Sequence, residues 1–326
     1  MISTSISRIP TGTPIDVLTG GLRFGAVTLI YGPTGCGKTT LLLKMCKNLA
    51  ENFKIYYIDT EGGVDQAEAG FNVKQAPSLK EQTDALKEVA KDVSDSKETY
   101  LIVVDTLTGH FHRQVLAAPE HYRASIAGQL SGKLVSQLNI LRNSLRRGLA
   151  VVTAHLRSPV SDSFKMNLLR KLAKAVKEGK YTPTAVDYER YMAYDPVRWI
   201  GGQGLGMHCQ YRFRIFVDED KSRILQVEKW PLVNNYCVRY IIDSNGEFRT
   251  IGDRFLIDKH TMSRLYALEF KTVLGEVVEI AGEKGIEVED SSREAGEAKH
   301  KVKKKSDITT PRIPSVEELI DREKEG

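Results

Sequence analysis

No stretch of the 326 residues comes near the ~18 consecutive apolar side chains that a membrane-spanning helix needs. Met1 to Ile9 are polar and hold no apolar signal-peptide core. A cytoplasmic protein with no membrane partner is expected. Cysteine is scarce: Cys36, Cys46, Cys209 and Cys237 show no C-x-x-C spacing. That excludes a zinc ribbon or redox pair and fits reduced thiols in an intracellular chain. Motifs that read duplex sequence are missing as well, which argues against sequence-specific DNA recognition. Neither sign of charge dominates: 47 basic residues face 42 acidic ones, for a formal net charge of +5. Such a balance permits a nucleic-acid partner without demanding one.

With 41% of its residues hydrophobic, the chain can bury one large core with extensions. Residues 20–250 alternate strand-like and helix-like segments, which predicts an α/β domain. Short apolar runs at Val27–Tyr31, Lys54–Asp59, Tyr100–Asp105 and Leu149–Ala154 read as strands covered on both faces. Ser78–Val93 reads as an amphipathic helix, and so does the stripe Ile126, Leu130, Leu134, Leu138, Leu141 and Leu145. After Gly201-Gly202, Tyr211–Val217 is followed by Ser222–Glu228, and Cys237–Asp243 is joined to Phe248–Ile251 across Asn245-Gly246. The domain is therefore expected to end in antiparallel β structure. The expected division is a core over residues 1–252, a helical extension over 253–282 and a charged tail over 283–326. The tail is too poor in apolar residues to fold alone. It carries Lys301-Val302-Lys303-Lys304-Lys305 and, near its end, a capping-box pattern at Ser315–Ile320.

Gly32-Pro33-Thr34-Gly35-Cys36-Gly37-Lys38-Thr39 meets G-x-x-x-x-G-K-[ST] at every position, between an expected strand and an expected helix from Thr40 to Leu49. There the glycines let successive N–H groups turn inward around an anion, and the helix dipole adds positive potential. ATP with Mg²⁺ is the expected ligand, bound by this loop and Thr40. Lys38 reaches the β- and γ-phosphates, and the Thr39 hydroxyl ligates the metal. Asp105, closing an apolar strand, is expected to hold Mg²⁺ through water beside Thr39. Glu61, just past the strand Lys54–Asp59, can accept a proton from water attacking the γ-phosphate.

Over residues 7–252 this pattern resembles the RecA/RadA recombinase superfamily. Thr11-Gly12, Ile15-Asp16 and Gly20-Gly21 are similar to the family's leading segment. Ile58-Asp59-Thr60-Glu61-Gly62 is similar to its catalytic-glutamate motif, and Val104-Asp105-Thr106 to its V-D-[ST]. Ile200-Gly201-Gly202 is similar to the glycine pair that closes its second DNA loop. The resemblance implies a RecA-like P-loop NTPase core: a mostly parallel central sheet flanked by helices, with nucleotide at the strand C-termini. It also implies that Glu61 is the water-activating base. Where the family carries T-N-Q, this chain has Thr153-Ala154-His155, so His155 stands in for the sensor Gln. His155 can still donate a hydrogen bond. The sequence starts at the core, without RadA's helix-hairpin-helix domain or its F-x-x-A segment. It is in that respect similar to archaeal RadA paralogues, RadB-like or of the wider RadC and KaiC-like group. Lys229, in Glu228-Lys229-Trp230-Pro231, lies where such proteins carry a lysine that acts in trans on a neighbour's γ-phosphate. A homo-oligomer or association with a recombinase is expected.

Two segments occupy the positions of the family's DNA loops. The first runs from Gly109 to Arg123 and offers His112, Arg113 and Arg123. The second, Arg157–Trp199, is long for an internal connection. It carries Lys165, Arg170, Lys171, Lys174, Lys177 and Lys180, opposed between Lys165 and Lys180 by Glu178 alone, with aromatics further along the segment. Basic side chains track phosphates, and aromatic faces stack unpaired bases. The expected function is a Mg²⁺-dependent ATPase that binds single-stranded or branched DNA and assists homologous recombination and repair. Two alternatives stay open: a KaiC-like signalling or assembly ATPase acting through protein partners, and an ATP-binding scaffold with negligible turnover.

Overall fold

A computed structural model describes residues 8–119, 122–156, 171–172, 174–182, 202–229 and 235–270. Strands β1 (Arg8–Ile9) and β2 (Leu22–Arg23) pair around helix α1 (Pro14–Thr19). The other strands form one sheet. In chain order they are β3 (Val27–Gly32), β4 (Lys54–Asp59), β5 (Val73–Gln75), β6 (Tyr100–Asp105), β7 (Gly148–His155), β8 (Tyr211–Val217), β9 (Arg223–Lys229), β10 (Tyr236–Ile242) and β11 (Phe248–Leu256). They lie side by side as β11-β10-β9-β8-β3-β7-β6-β4-β5. All pairs from β5 to β8 are parallel, and those from β8 to β11 are antiparallel. The expected α/β architecture, with its antiparallel C-terminal portion, is the observed one.

The near-continuous apolar strands are explained by helices on both faces. Leu29, Tyr31, Ile102 and Val104 meet α4 (Leu79–Ser94) and α6 (Arg123–Ser144) on one side. Ile30, Leu101 and Val103 meet α1 and α2 (Lys38–Leu49) on the other. Each such buried side chain contributes about 1.5–3 kcal/mol relative to exposure. Helix α4 starts where Ser78 stops the extended chain: its hydroxyl accepts the Glu81 N–H at 3.2 Å. Helix α1 is fastened by Asp16, whose carboxylate accepts the N–H groups of Thr11 and Gly12 at 2.9 and 2.7 Å. That is the physical content of the Thr11-Gly12 and Ile15-Asp16 pattern.

Several elements differ from expectation. Gly109 to Ala117 was expected as part of a polar loop but forms helix α5, because Phe111 and Val115, one turn apart, reach the core. Helices α3 (Gln66–Ala69) and α7 (Gly202–His208) are too short to show a period. The expected boundary at 252 falls inside β11, and residues 259–270 form a helix that packs on the sheet rather than extending from it. Leu265 joins Phe216, Ile224 and Cys237 in a third core cluster. The rest of the expected extension and the tail, 271–326, lie outside the described residues. No helix among the described residues is long and apolar enough to cross a membrane.

The C-terminal helix is tied to the sheet by charge. Arg214 of β8 is fully enclosed, its guanidinium 4.3 Å from the Phe216 ring centre and 5.2 Å from that of Tyr266. It pairs with buried Glu269, with Nε donating to Oε1 at 3.3 Å, and lies 3.9 Å from Glu228. Removing one member of such a pair leaves the other charge buried. Glu269→Ala is expected to cost about 3 kcal/mol in urea unfolding, at the low end because Glu228 remains. Glu178→Ala, whose partners Lys174 and Lys180 are surface side chains, should leave the transition nearly unchanged.

Candidate functional site

The parallel register brings the C-terminal ends of four strands to one edge. Gly32 of β3 is level with His155 of β7, and Asp59 of β4 with Asp105 of β6. The phosphate loop leaves β3 at Gly32 and enters α2 at Lys38. A Cβ on Gly32 would lie 2.7 Å from the Ile215 carbonyl oxygen, so the loop can lie this close to β8 only with glycine. Gly37, at φ +94°, caps α2 in the left-handed region. Lys38 is buried, and its ammonium donates to the carbonyls of Gly32 at 3.1 Å and Pro33 at 2.9 Å. Cys36 is enclosed under the loop, where burial pushes its thiol pKa up. It is a packing residue, not a reactive thiolate.

Asp105 is the hub of the buried edge. Its Oδ2 accepts Thr39 Oγ1 at 2.7 Å and the Tyr57 hydroxyl at 2.9 Å, and its Oδ1 accepts Thr153 Oγ1 at 2.5 Å. The carboxylate is thus aimed at the first turn of α2. Thr39 and Asp105 form a hard oxygen pair of the kind Mg²⁺ uses when water and phosphate complete its octahedron. Among the described residues no group of three or more His, Cys, Asp or Glu side chains could hold a metal by itself. That is the pattern of a metal shared with a phosphate ligand, and the residues present fit it.

Glu61 lies just past the end of β4, the strand beside β6. Asp59 builds its turn by accepting the N–H groups of Glu61 and Gly62 at 2.9 Å and of Val64 at 3.0 Å. Thr60 is stapled to β6: its hydroxyl donates to the Thr106 carbonyl at 2.8 Å and accepts the Thr106 N–H at 2.9 Å. The Glu61 carboxylate accepts His155 Nε2 at 2.6 Å and Thr106 Oγ1 at 3.1 Å. The hydrogen bond from His155 holds the Glu61 pKa below its ordinary value, against the opposing effect of partial burial. Asp59, Tyr57 and Thr153 were not singled out from sequence. The signal for Asp59 was its place at a strand end; nothing local marks the other two.

The remaining expected site residues scatter. Arg113 of α5 turns inward: its Nη2 donates to the Thr60 carbonyl at 2.9 Å and to His110 Nδ1 at 2.8 Å. His110 in turn donates to the Ala76 carbonyl at 2.7 Å. The arginine braces the Glu61 turn rather than reaching outward. Arg123 Nε donates to the Ala118 carbonyl at 3.1 Å, and the backbone of His112 lies in α5. Lys171, Lys174, Lys177 and Lys180 are all exposed, while Leu172, Ala175 and Tyr181 are buried beneath them. Lys165, Arg170 and Gly201 lie outside the described residues. Lys229 is level with Arg212 on β8, which is itself level with Leu29. It therefore stands below the loop edge. Its ammonium donates to the Cys209 carbonyl at 2.9 Å, and burial, with Arg212 nearby, lowers its pKa. The fold does not bring Lys229 to its own chain's phosphate loop.

A family model described as an AAA domain matches residues 25–126. A DNA repair and recombination protein RadB from Archaeoglobus fulgidus is 36% identical over 151 residues, which cover 43% of this chain and 65% of that protein. One from Thermococcus kodakarensis is 34% identical over 152 residues, covering 41% and 64%. The chain thus spans just under two thirds of the length of these relatives. A solved structure titled as the RadB recombinase superposes with a TM-score of 0.50 at 20% identity, over 74% of this chain and 99% of that one, and shows the shared fold. The loop, the aligned acidic strand ends, the sheet order and these likenesses agree: the chain is similar in sequence to RadB proteins and shares the fold of the RadB recombinase structure.

Proposed function

We propose that the chain is a Mg²⁺-dependent ATPase that binds single-stranded or branched DNA and assists homologous recombination and repair. The observation that carries it is the 2.7 Å contact between Thr39 and Asp105, with Glu61 facing them across the strand ends. Lys38 and the loop amides would neutralise the polyphosphate. Mg²⁺, held by Thr39 and through water by Asp105, would add charge stabilisation there. Glu61 would hold the attacking water and take its proton, with His155 and Thr106 fixing the carboxylate. The names of the RadB relatives support the repair role. The exposed lysines at 171, 174, 177 and 180 support a phosphate-tracking surface. Lys229 would serve a neighbouring copy's site, since its own is out of reach.

The same Glu61–His155 contact favours a second reading, an ATP-binding scaffold whose base is held too firmly for turnover. Isothermal titration and a phosphate-release assay separate the two. Lys38→Ala should abolish tight ATP binding, while Glu61→Gln should keep it and lower hydrolysis by ~10²–10⁴-fold. Wild-type turnover no faster than that of Glu61→Gln, even with saturating oligonucleotide, would establish the scaffold instead.

His155 also sets the acid limb. Its hydrogen bond favours the ionised carboxylate, so Glu61 keeps its negative charge to a lower pH than an ordinary Glu. His155→Phe should therefore shift the acid limb of the hydrolysis profile upward, and an unmoved limb would remove His155 from the base's environment.

Neutralising Lys171, Lys174 and Lys177 together should weaken binding to a labelled single strand. The dependence of log K on log salt should flatten by about two units, since each lost phosphate contact on a single strand removes roughly 0.7. An unchanged slope would place the DNA surface elsewhere.

A further inference from the structure

The antiparallel end of the sheet forms a wall beside the phosphate loop. The turn between β8 and β9, closed by the Asp218 N–H on the Ser222 carbonyl at 2.9 Å, leads directly into Arg223. Arg223 Nε donates to the carbonyl of Cys36 at 3.0 Å, and Nη1 donates to the carbonyl of Lys221 at 3.1 Å. The neighbouring turn between β10 and β11 is held on α2 by the Lys44–Glu247 pair at 2.6 Å. Gly37 lies beneath this wall. A Cβ there would be 2.6 Å from Ile242 Cδ1 and 3.4 Å from Arg223 Nε.

The charges of the wall are unequal. Arg239 pairs with Asp218 at 3.0 Å and Asp220 at 3.6 Å, and Arg264 pairs with Asp218. Those contacts, with the Asp218–Ser222 bond, hold the turn that presents Arg223. Arg223 itself has no carboxylate at ion-pair distance among the described residues, and its two hydrogen bonds go to backbone oxygens. A guanidinium with no carboxylate partner among the described residues thus stands against the loop at the Cys36 carbonyl.

The peptide it touches matters for what the loop can bind. The Cys36–Gly37 bond is trans, so its C=O and N–H point in opposite directions. Fastening the carbonyl to Arg223 turns the Gly37 N–H to the side of the peptide away from Arg223. Without that fastening, glycine's freedom would let the peptide turn and present its oxygen to the anion. We propose that Arg223 is a positioning residue of the phosphate loop: it locks the Cys36–Gly37 peptide in the anion-accepting orientation and adds positive potential for a nucleoside di- or triphosphate. The inference rests on the nucleotide reading above and extends it to the antiparallel strands, which the P-loop motif does not include.

The test uses the full chain, with MgADP and MgATP titrated by calorimetry and the nucleotide-free melting temperature measured alongside. Arg223→Ala should weaken both nucleotides by about tenfold to a hundredfold, the range for losing a charged hydrogen bond, without lowering the nucleotide-free melting temperature. Arg223→Lys, which keeps a charged donor, should recover affinity to within a few fold of wild type. Wild-type affinity in Arg223→Ala would overturn the proposal. So would a lysine variant as weak as the alanine one with both melting early, which would make the arginine a packing residue. A wild-type chain that binds neither nucleotide would sink the nucleotide reading and this inference with it; a wild-type chain that binds both, with undiminished binding in Arg223→Ala, sinks this inference alone.

Discussion

Everything at the site depends on four parallel strands held in fixed register. Gly32, His155, Asp105 and Asp59 come to one edge because β3, β7, β6 and β4 are hydrogen-bonded side by side without a slip. A one-residue slip in β6 would reverse the faces of its side chains and turn Asp105 away from Thr39. Burial of both faces of these strands makes such a slip prohibitive, since it would exchange one complete apolar face for another across α2 and α4. The core therefore sets the chemistry: the positions of the metal-side oxygen pair and the base follow from packing that involves neither of them.

Stiffness is distributed unevenly across that edge. Asp105 accepts three hydroxyls, and Thr60 is bonded to the end of β6 through its hydroxyl and its backbone N–H, while its carbonyl accepts from Arg113 of α5. One residue further on, the Glu61 side chain is 41% exposed and carries only two side-chain contacts. His155, which donates to Glu61, comes from β7, the strand paired with β3 where the phosphate loop begins.

Much of this was legible from sequence because it is local. The phosphate loop is contiguous, and Asp105 and Glu61 follow apolar runs long enough to be recognised as buried strands. The residues that were not legible act over distance. Thr153 and Tyr57 each reach Asp105 across 48 positions, and Arg223 reaches Cys36 across 187. No window along the chain contains both partners. Helix α5 was missed for a different reason: Phe111 and Val115 give only one helical repeat, too little to stand out among polar neighbours. Arg113 was assigned to a DNA-facing loop from the resemblance and its charge, whereas its position on α5 places it over the Thr60 carbonyl. Residues 253–256 continue a strand that turn chemistry marked correctly at its start but whose end had no signal.

Strand order has a consequence for how the chain is made. β3 carries the phosphate loop and occupies the middle of the sheet, yet its two neighbours, β7 and β8, begin at Gly148 and Tyr211. At roughly 5–20 residues per second, a ribosome would emit β3 on the order of ten seconds before both partners exist. During that interval Val27, Leu29, Ile30 and Tyr31 have no sheet to enter, and two rows of unpaired backbone groups flank them. Until β8 is complete at Val217, the central strand that supports the loop therefore lacks one of its two neighbours.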